Sequence, residues 1–299
     1  MTSIAPEPIV CKIGTFNCKN LSVNDTQRIL YIASTILTSK ADIVAIQEIS
    51  NVNSIDMLIS ELGHEWCGAI EKKPINTSKV KEYMGFVYRK SDIAFIGSHT
   101  FSDDDFKIYV GANGRIMKRS PVYAKFCVNS TADIVIISYH TDPKDPIHDC
   151  TLIKKNIAAI QTTNKNENII VLGDFNTDCG NKYAFGKLSK LGYIPSLSSK
   201  TPTNYNGHEQ YDNIWYHPAY CRLIEKAHVF RECIPEGATI YTYSDHLLVA
   251  GRYAILKIGT SQTFNAPDMV EAMRKKKFDL LKISCCGSTQ MVCQCSTAV

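Results

Sequence analysis

The sequence predicts one mixed α/β domain over residues 1–256, followed by a basic, cysteine-containing tail at 257–299. Three observations predict it. Short runs of β-branched residues bounded by turn residues recur as far as residue 255, and stretches with apolar residues at helical spacing are interleaved with them. Several strand-like runs also follow one another without an intervening helix, so part of the sheet must be antiparallel, and an all-parallel dinucleotide-binding sheet is disfavoured. At 299 residues, with 44% hydrophobic and 21% charged, the chain can bury a core of the size such a domain needs.

Val10 to Phe16 reads as the first strand. Ile29, Leu30, Ile32, Ala33, Ile36 and Leu37 then fall on one helical face after a cap expected near Asn24 or Asp25. Ile43–Ile46 reads as a buried strand and 54–62 as a second helix. Phe86–Tyr88, Ile93–Ile96, Val122–Val128 and Ile134–Tyr139 read as strands, several of them adjacent and so antiparallel. Helices are expected at 149–163 and 183–191, the latter stopped by Gly192, and strands at Ile169–Leu172, Ile214–Tyr216 and Leu247–Ile255. Trp66 and Trp215 sit in apolar runs and are expected in the core.

Composition excludes several classes. No run of about 18 apolar residues is present to span a bilayer, and the start, MTSIAPEPIV, lacks the basic and apolar regions of a secretory signal, so an intracellular protein, cytoplasmic or nuclear, is expected. The twelve cysteines include no C-x-x-C pair, so neither a disulfide scaffold nor a structural zinc site is indicated. Of the net charge of +4, the tail's six Lys/Arg against three Asp/Glu leave +1 for the body, so any basic track for a polyanion must be local. GANGRIMK, with Arg115 and Lys118, is one such stretch. In the tail, Arg274 to Lys277 lie near Cys285 and Cys286, a pattern that allows membrane contact but more often forms a frayed or docked helix. A monomer is expected.

Polar residues able to bind metal or move protons recur where predicted strands end. Asn17 follows the first strand, Glu48 follows IVAIQ, and His140 follows DIVIISY; Asp174 and Asn176 follow IIVLG, and Asp245 and His246 precede LLVA. Strand ends on one edge of a sheet converge on one cleft. Any one of these could close a turn or cap a helix, but together they suit a hard divalent cation that prefers oxygen ligands and keeps several waters. Glu48 and Asp245 are the expected ligands, with Asn17 beside them. His246 and His140 are the expected proton-transfer or phosphate-stabilising groups. No G-x-x-x-x-G-K-[ST] loop, G-x-G-x-x-G turn or Ser-His-Asp motif offers a competing mechanism. Asp142, Asp145, His148 and Asp149 could suggest a second metal cluster, but Pro143 and Pro146 favour a solvated loop.

Taken in order, IGTFNCKNL, DIVAIQEI, SPVYAKF, DIVIISYHTD, IIVLGDFNTDCG, YDNIWY and YSDHLLVAG resemble the endonuclease/exonuclease/phosphatase superfamily over residues 9–256. KEYMGFVYRKS and DFNTDCG resemble its deoxyribonuclease I branch in particular. The resemblance implies a four-layered sandwich of two mixed β-sheets flanked by helices. It further implies that Asn17, Glu48 and Asp245 belong to a Mg2+ site (Mn2+ or Ca2+ being alternatives), and that Asn17 also contacts substrate. By the same resemblance, Asp174 and Asn176 position phosphate and attacking water, Asp212 orients His246, Glu82 partners a catalytic His140, and Arg119 contacts a phosphate.

The implied function is an endonuclease that cuts DNA to 5′-phosphate and 3′-hydroxyl ends. Two departures bear on substrate grip: Ser50 stands where that branch has an Arg reaching into the minor groove, and Asn213 stands where an Arg usually follows the YD aspartate. Cys179 matches half of a disulfide in secreted members, and the segment before YDNIWY has no cysteine to close it. The competing expectations are a lipid or small-molecule phosphodiesterase or phosphatase of sphingomyelinase-like type, and a catalytically silent binding protein.

Overall fold

A strand buried on both faces must send alternate residues to different layers, and the apolar runs divide in that way. A computed structural model describes residues 8–76, 78–100, 117–164, 168–256 and 280–282. Its elements are β1 Ile9–Leu21, α1 Thr26–Ser39, β2 Ile43–Ile49, α2 Ser54–Leu62, β3 Trp66–Glu71, β4 Tyr83–Arg89, β5 Ile93–Thr100, β6 Val122–Val128 and β7 Ala132–His140. Then follow α3 Pro146–Asn164, β8 Ile169–Asp174, α4 Lys182–Lys190, β9 Ile194–Pro195, β10 Asp212–Tyr216, β11 Cys221–Val229, β12 Val249–Ile255 and β13 Leu280–Lys282.

Two mixed sheets result. One runs β11-β12-β1-β2-β4-β3-β13 and the other β5-β6-β7-β8-β10-β9. Among the described residues, only β1 with β2 and β7 with β8 pair in parallel. Ile43 and Ala45 of β2, Ile134 and Ile136 of β7, and Ile170 and Leu172 of β8 fill the layer between the sheets. Their neighbours Val44 and Ile46 face α1 and α2, while Val135, Ile137 and Val171 face α3 and α4. The order is therefore helix, sheet, sheet, helix, the expected four-layered sandwich, with Trp66 and Trp215 fully buried on its outer faces.

Some local readings differ. Asp25 does occupy the N-cap of α1, but its carboxylate takes the Arg28 guanidinium instead of a helix N–H. Strands β3, β9 and β11 carry no distinct signal in the sequence. Seven of the described cysteines, Cys179 among them, are free, and Cys67 is disulfide-bonded. Of the tail, Leu280–Lys282 adds an edge strand to β3. The segments 111–116 and 274–277 and the tail cysteines lie outside the described residues. Among those described, no helix is long and apolar enough to cross a membrane.

Gly173, the penultimate residue of β8, has φ +134, and a Cβ there would lie 2.0 Å from the carbonyl oxygen of Tyr139 on β7. The close approach sets the neighbouring strand ends His140 and Asp174 side by side. Gly173→Ala is expected to destabilise the protein by about 3 kcal/mol or more, through backbone strain and overpacking together. Urea unfolding measures this, and a loss below about 1 kcal/mol would show that β8 can shift to make room.

Candidate active site

The two parallel pairs end on the same edge of the sandwich. Asn17 lies opposite Gln47 where the regular β1–β2 register breaks before Leu21 meets Ile49, and His140 lies opposite Asp174 where β7 and β8 end. Strand β10 runs the other way, so its first residue, Asp212, sits opposite Asp174 on the other side. The turn before β12 adds Asp245 and His246. Positive φ values at Glu48 (+55) and Asn176 (+48), uncommon for residues other than glycine, turn the chain as it leaves β2 and β8.

Asp174, only 1% exposed, is the centre. Its Oδ1 accepts the Asn176 backbone N–H at 2.9 Å, and its Oδ2 accepts the Asn17 side-chain amide at 3.0 Å. The same Oδ2 lies 3.6 Å from His140 Nε2 and 3.5 Å from His246 Nε2. Each histidine is fixed from behind through Nδ1: His140 by Glu82, and His246 by Asp212 at 2.8 Å. Asp212 is itself held by the Thr203 hydroxyl at 2.8 Å, and the second oxygen of Glu82 takes Arg119 Nε at 3.0 Å.

These contacts set the charges. Burial disfavours the His246 imidazolium, but Asp212 and Asp174 on its two sides outweigh this, and its pKa is pushed up to about 10. Burial opposes protonation of His140 too, yet Glu82, Asp174 and Glu48 raise its pKa. Burial works to raise the Asp174 carboxyl, but the two histidines, the Asn176 N–H and the Asn17 amide hold it below the usual carboxylate range. Burial pushes Asp212 up against the pull of His246. Because Asp174 adds a second negative charge to the far side of the ring, the shared proton stays on His246. The arrangement is an ionised carboxylate between two imidazole rings, each made more basic by the carboxylates around it.

Two groups of side chains bring ligating atoms close enough to hold a metal: Glu48, His140 and Asp174, and Asp174, Asp212 and His246. Glu48 has the character a hard cation needs. Its oxygens accept the Asn17 side-chain amide at 2.9 Å and the Asn20 backbone N–H at 3.1 Å, and no Lys or Arg among the described residues pairs with it. Asp245 belongs to neither group; its carboxylate is 43% exposed and pairs with Lys19 Nζ at 3.0 Å. Asn17 points its amide nitrogen at Glu48 and Asp174, while its oxygen accepts the Lys19 backbone N–H at 3.0 Å. It therefore links the two carboxylates.

Arg119 reaches the cleft wall, with Nη1 on the Thr141 carbonyl at 2.9 Å, and Asn176 binds the same carbonyl at 3.0 Å. Ser50 is occupied locally, donating to Leu21 O at 3.0 Å, and Asn213 is buried with its side chain on Leu197. Thr203, Ser244, Lys19 and Arg28 also shape the site and are absent from the sequence reading. A lone hydroxyl or cation carries no pattern, and only the adjacency of Ser244 to Asp245 and Lys19 to Asn17 hinted at them.

The pattern of the Endonuclease/Exonuclease/phosphatase family matches residues 14–267. The chain belongs to this family. Its enzymes are metal-dependent hydrolases, in keeping with the acidic and histidine groups around Asp174. Among similar family members is an Endonuclease/exonuclease/phosphatase family domain-containing protein 1 of Xenopus laevis, 26% identical over 237 residues, 69% of this chain and 41% of that protein. Another is Deoxyribonuclease-1-like 1 of Mus musculus, 26% identical over 204 residues, 64% of this chain and 62% of that one. The chain thus spans less than two thirds of either relative. In fold it is similar to an endonuclease/exonuclease/phosphatase structure from Bacteroides vulgatus, with TM-score 0.61, 17% identity, and 82% of this chain and 99% of that chain covered.

Beside His140, the loop expected to be solvated exposes Pro143, Lys144 and Ile147 but buries the carboxylates at its two ends. Asp142 is 8% and Asp149 2% exposed, and Asp149 Oδ2 accepts the Asp142 backbone N–H at 2.9 Å while Lys118 caps the Asp142 carboxylate. Burial pushes Asp149 up to about 6, despite the Asp142 N–H and His148. Its folded pKa lies above the unfolded value, so the stability it contributes is complete below about pH 4 and is lost as pH rises through 6. At about 1.36 kcal/mol per unit, the shift bounds that loss near 3 kcal/mol. Asp149→Asn keeps an acceptor for the Asp142 N–H and is expected to exceed the wild type by about 1–2 kcal/mol at pH 8 and to equal it at pH 4. Urea unfolding of both proteins across this range checks it; a pH-independent difference would reject burial as the cause.

Proposed function

We propose that the protein is a divalent-metal-dependent endonuclease that hydrolyses DNA phosphodiester bonds to 5′-phosphate and 3′-hydroxyl ends. One observation carries the reading: two buried histidines, each oriented through Nδ1 by its own carboxylate, present Nε2 to opposite flanks of the same ionised Asp174 oxygen, at 3.6 and 3.5 Å. Cleavage of a phosphodiester needs an aligned water, neutralisation of charge on the phosphoryl oxygens and a proton for the leaving oxygen. Asp174 and Asn176 orient the water, and the ionised Asp174 accepts the proton the water loses as its oxygen bonds to phosphorus. His246, protonated at neutral pH, contacts a non-bridging oxygen. His140, its Nδ1 held by Glu82, delivers its Nε2 proton to the 3′-oxygen as the P–O3′ bond breaks. Arg119 steadies the phosphate from the Thr141 side.

Glu48 would hold Mg2+, which would supply Lewis-acid neutralisation of the phosphate; Mn2+ or Ca2+ would suit the same oxygen donors. The name of the murine relative supports DNA as substrate. Ser50 and Asn213, both tied to their own surroundings, leave grip on the duplex to other residues.

Activity is expected to vanish in excess chelator and return with Mg2+. In single-turnover cleavage of a duplex oligonucleotide, His140→Ala and His246→Ala should each lower the rate by a factor on the order of 10² or more, and the double variant should lose far less than the product. Folding is checked by circular dichroism. Near-wild-type cleavage by His140→Ala would remove the two-histidine mechanism, full activity in chelator would remove the metal, and hydrolysis of phospholipid but not DNA would replace the substrate.

A further inference from the structure

Between Asn17 and Leu21, where the pairing of β1 with β2 shifts register, the backbone is built with unusual care around a single lysine. Lys19 and Asn20 both have positive φ, +47 and +56, a conformation that two consecutive non-glycine residues keep only when their surroundings enforce it. Those surroundings are visible. The Lys19 N–H donates to Asn17 Oδ1 at 3.0 Å, the Asn20 N–H donates to Glu48 Oε2 at 3.1 Å, and the Lys19 carbonyl accepts from Nη1 of the buried Arg28. Nη2 of Arg28 binds the carbonyl of Tyr241, so one guanidinium ties the Lys19 turn to the loop preceding the Ser244–His246 turn. The Lys19 ammonium then lies 3.0 Å from Asp245 Oδ2 and 5.3 Å from the centre of the Tyr241 ring, with the lysine side chain only 22% exposed.

The two carboxylates that flank Asn17 are therefore unlike each other. Glu48 receives the Asn17 and Asn20 amide N–H groups, and its one basic neighbour, the His140 ring, stands 3.6 Å off and is itself held by Glu82, whereas Asp245 directly pairs with an ammonium at 3.0 Å in a place set by Arg28 and Tyr241. A divalent ion approaching Asp245 must displace that ammonium or share the carboxylate against like-charge repulsion; at Glu48 it meets no paired ammonium or guanidinium among the described residues. We propose that Lys19 is a built-in cation that occupies Asp245, confines the divalent metal to Glu48, and makes this a one-metal centre that becomes a two-metal centre when the lysine charge is removed. The inference rests on the metal-dependent reading above.

The test counts ions instead of turnover. Mn2+ is titrated into the full chain by calorimetry, with free Mn2+ followed by electron paramagnetic resonance. The wild type is expected to bind one ion. Lys19→Met, which keeps the apolar stem, and Lys19→Gln are each expected to bind a second ion at least about tenfold more tightly than any second ion in the wild type. Lys19→Arg should keep one, and adding Asp245→Asn to Lys19→Met should return the count to one. Two ions in the wild type, or one ion in both uncharged variants, overturns the role of Lys19 and leaves the metal-dependent reading intact. No Mn2+ bound by any of these proteins overturns both.

Discussion

One hydrogen bond, from the Asn17 amide to Asp174, joins the two halves of the molecule at the place where its chemistry is assembled. Asn17 and Glu48 belong to the first sheet; His140, Asp174 and Asp212 belong to the second. Behind this bond, Gln47 of β2 donates to Ser138 of β7 at 2.9 Å and accepts from Thr15 of β1 at 3.2 Å, and Ser244 donates to the Asn17 carbonyl at 2.7 Å. Buried polar groups of this kind are costly unless partnered. Their mutual satisfaction fixes how far one sheet can slide over the other, which an apolar core alone does loosely.

The charge pattern follows from that geometry. A buried carboxylate with no cation nearby would be neutral, and a buried histidine with no anion would lose its proton. Here each supplies what the other lacks. Glu82 and Asp212 stand behind the rings, Asp174 stands between them, and the proton positions are set before any phosphate arrives. A site organised in this way has little reorganisation left to do when charge develops on a substrate.

Much of this was legible in the sequence, and the limits are physical. The strand-end residues could be read because a parallel pair ends where its apolar run ends, which placed Asn17, Glu48, His140 and Asp174 on one edge before any coordinates. The four-layer order followed from the family resemblance, and runs such as IVAI and IIVL, apolar at every position, agree with strands covered on both faces. Strands β3, β9 and β11 escaped notice: β9 is two residues long, and β11 exposes Arg222, Glu225 and Lys226, which reads as a loop. Asp149 looked solvated because proline-rich loops usually are, and only the tertiary contact with the Asp142 backbone buries it. The pairing of Asp245 with Lys19 spans more than two hundred residues, and nothing local in SDH announces which cation it meets.

A centre divided between two sheets has its coordinates set in the interior, far from the cleft. Phe86 of one sheet and Phe126 of the other meet edge to face at 5.6 Å in the layer between them, touching none of the reactive groups. A change of side-chain volume there need not unfold the protein to matter: a lateral offset of a fraction of an ångström between the sheets would part Asn17 from Asp174 while every helix and strand survived. Variants found by screening for lost function can therefore cluster deep in the sandwich, and such positions would be misread as contact residues by any scheme that equates loss of function with proximity to substrate.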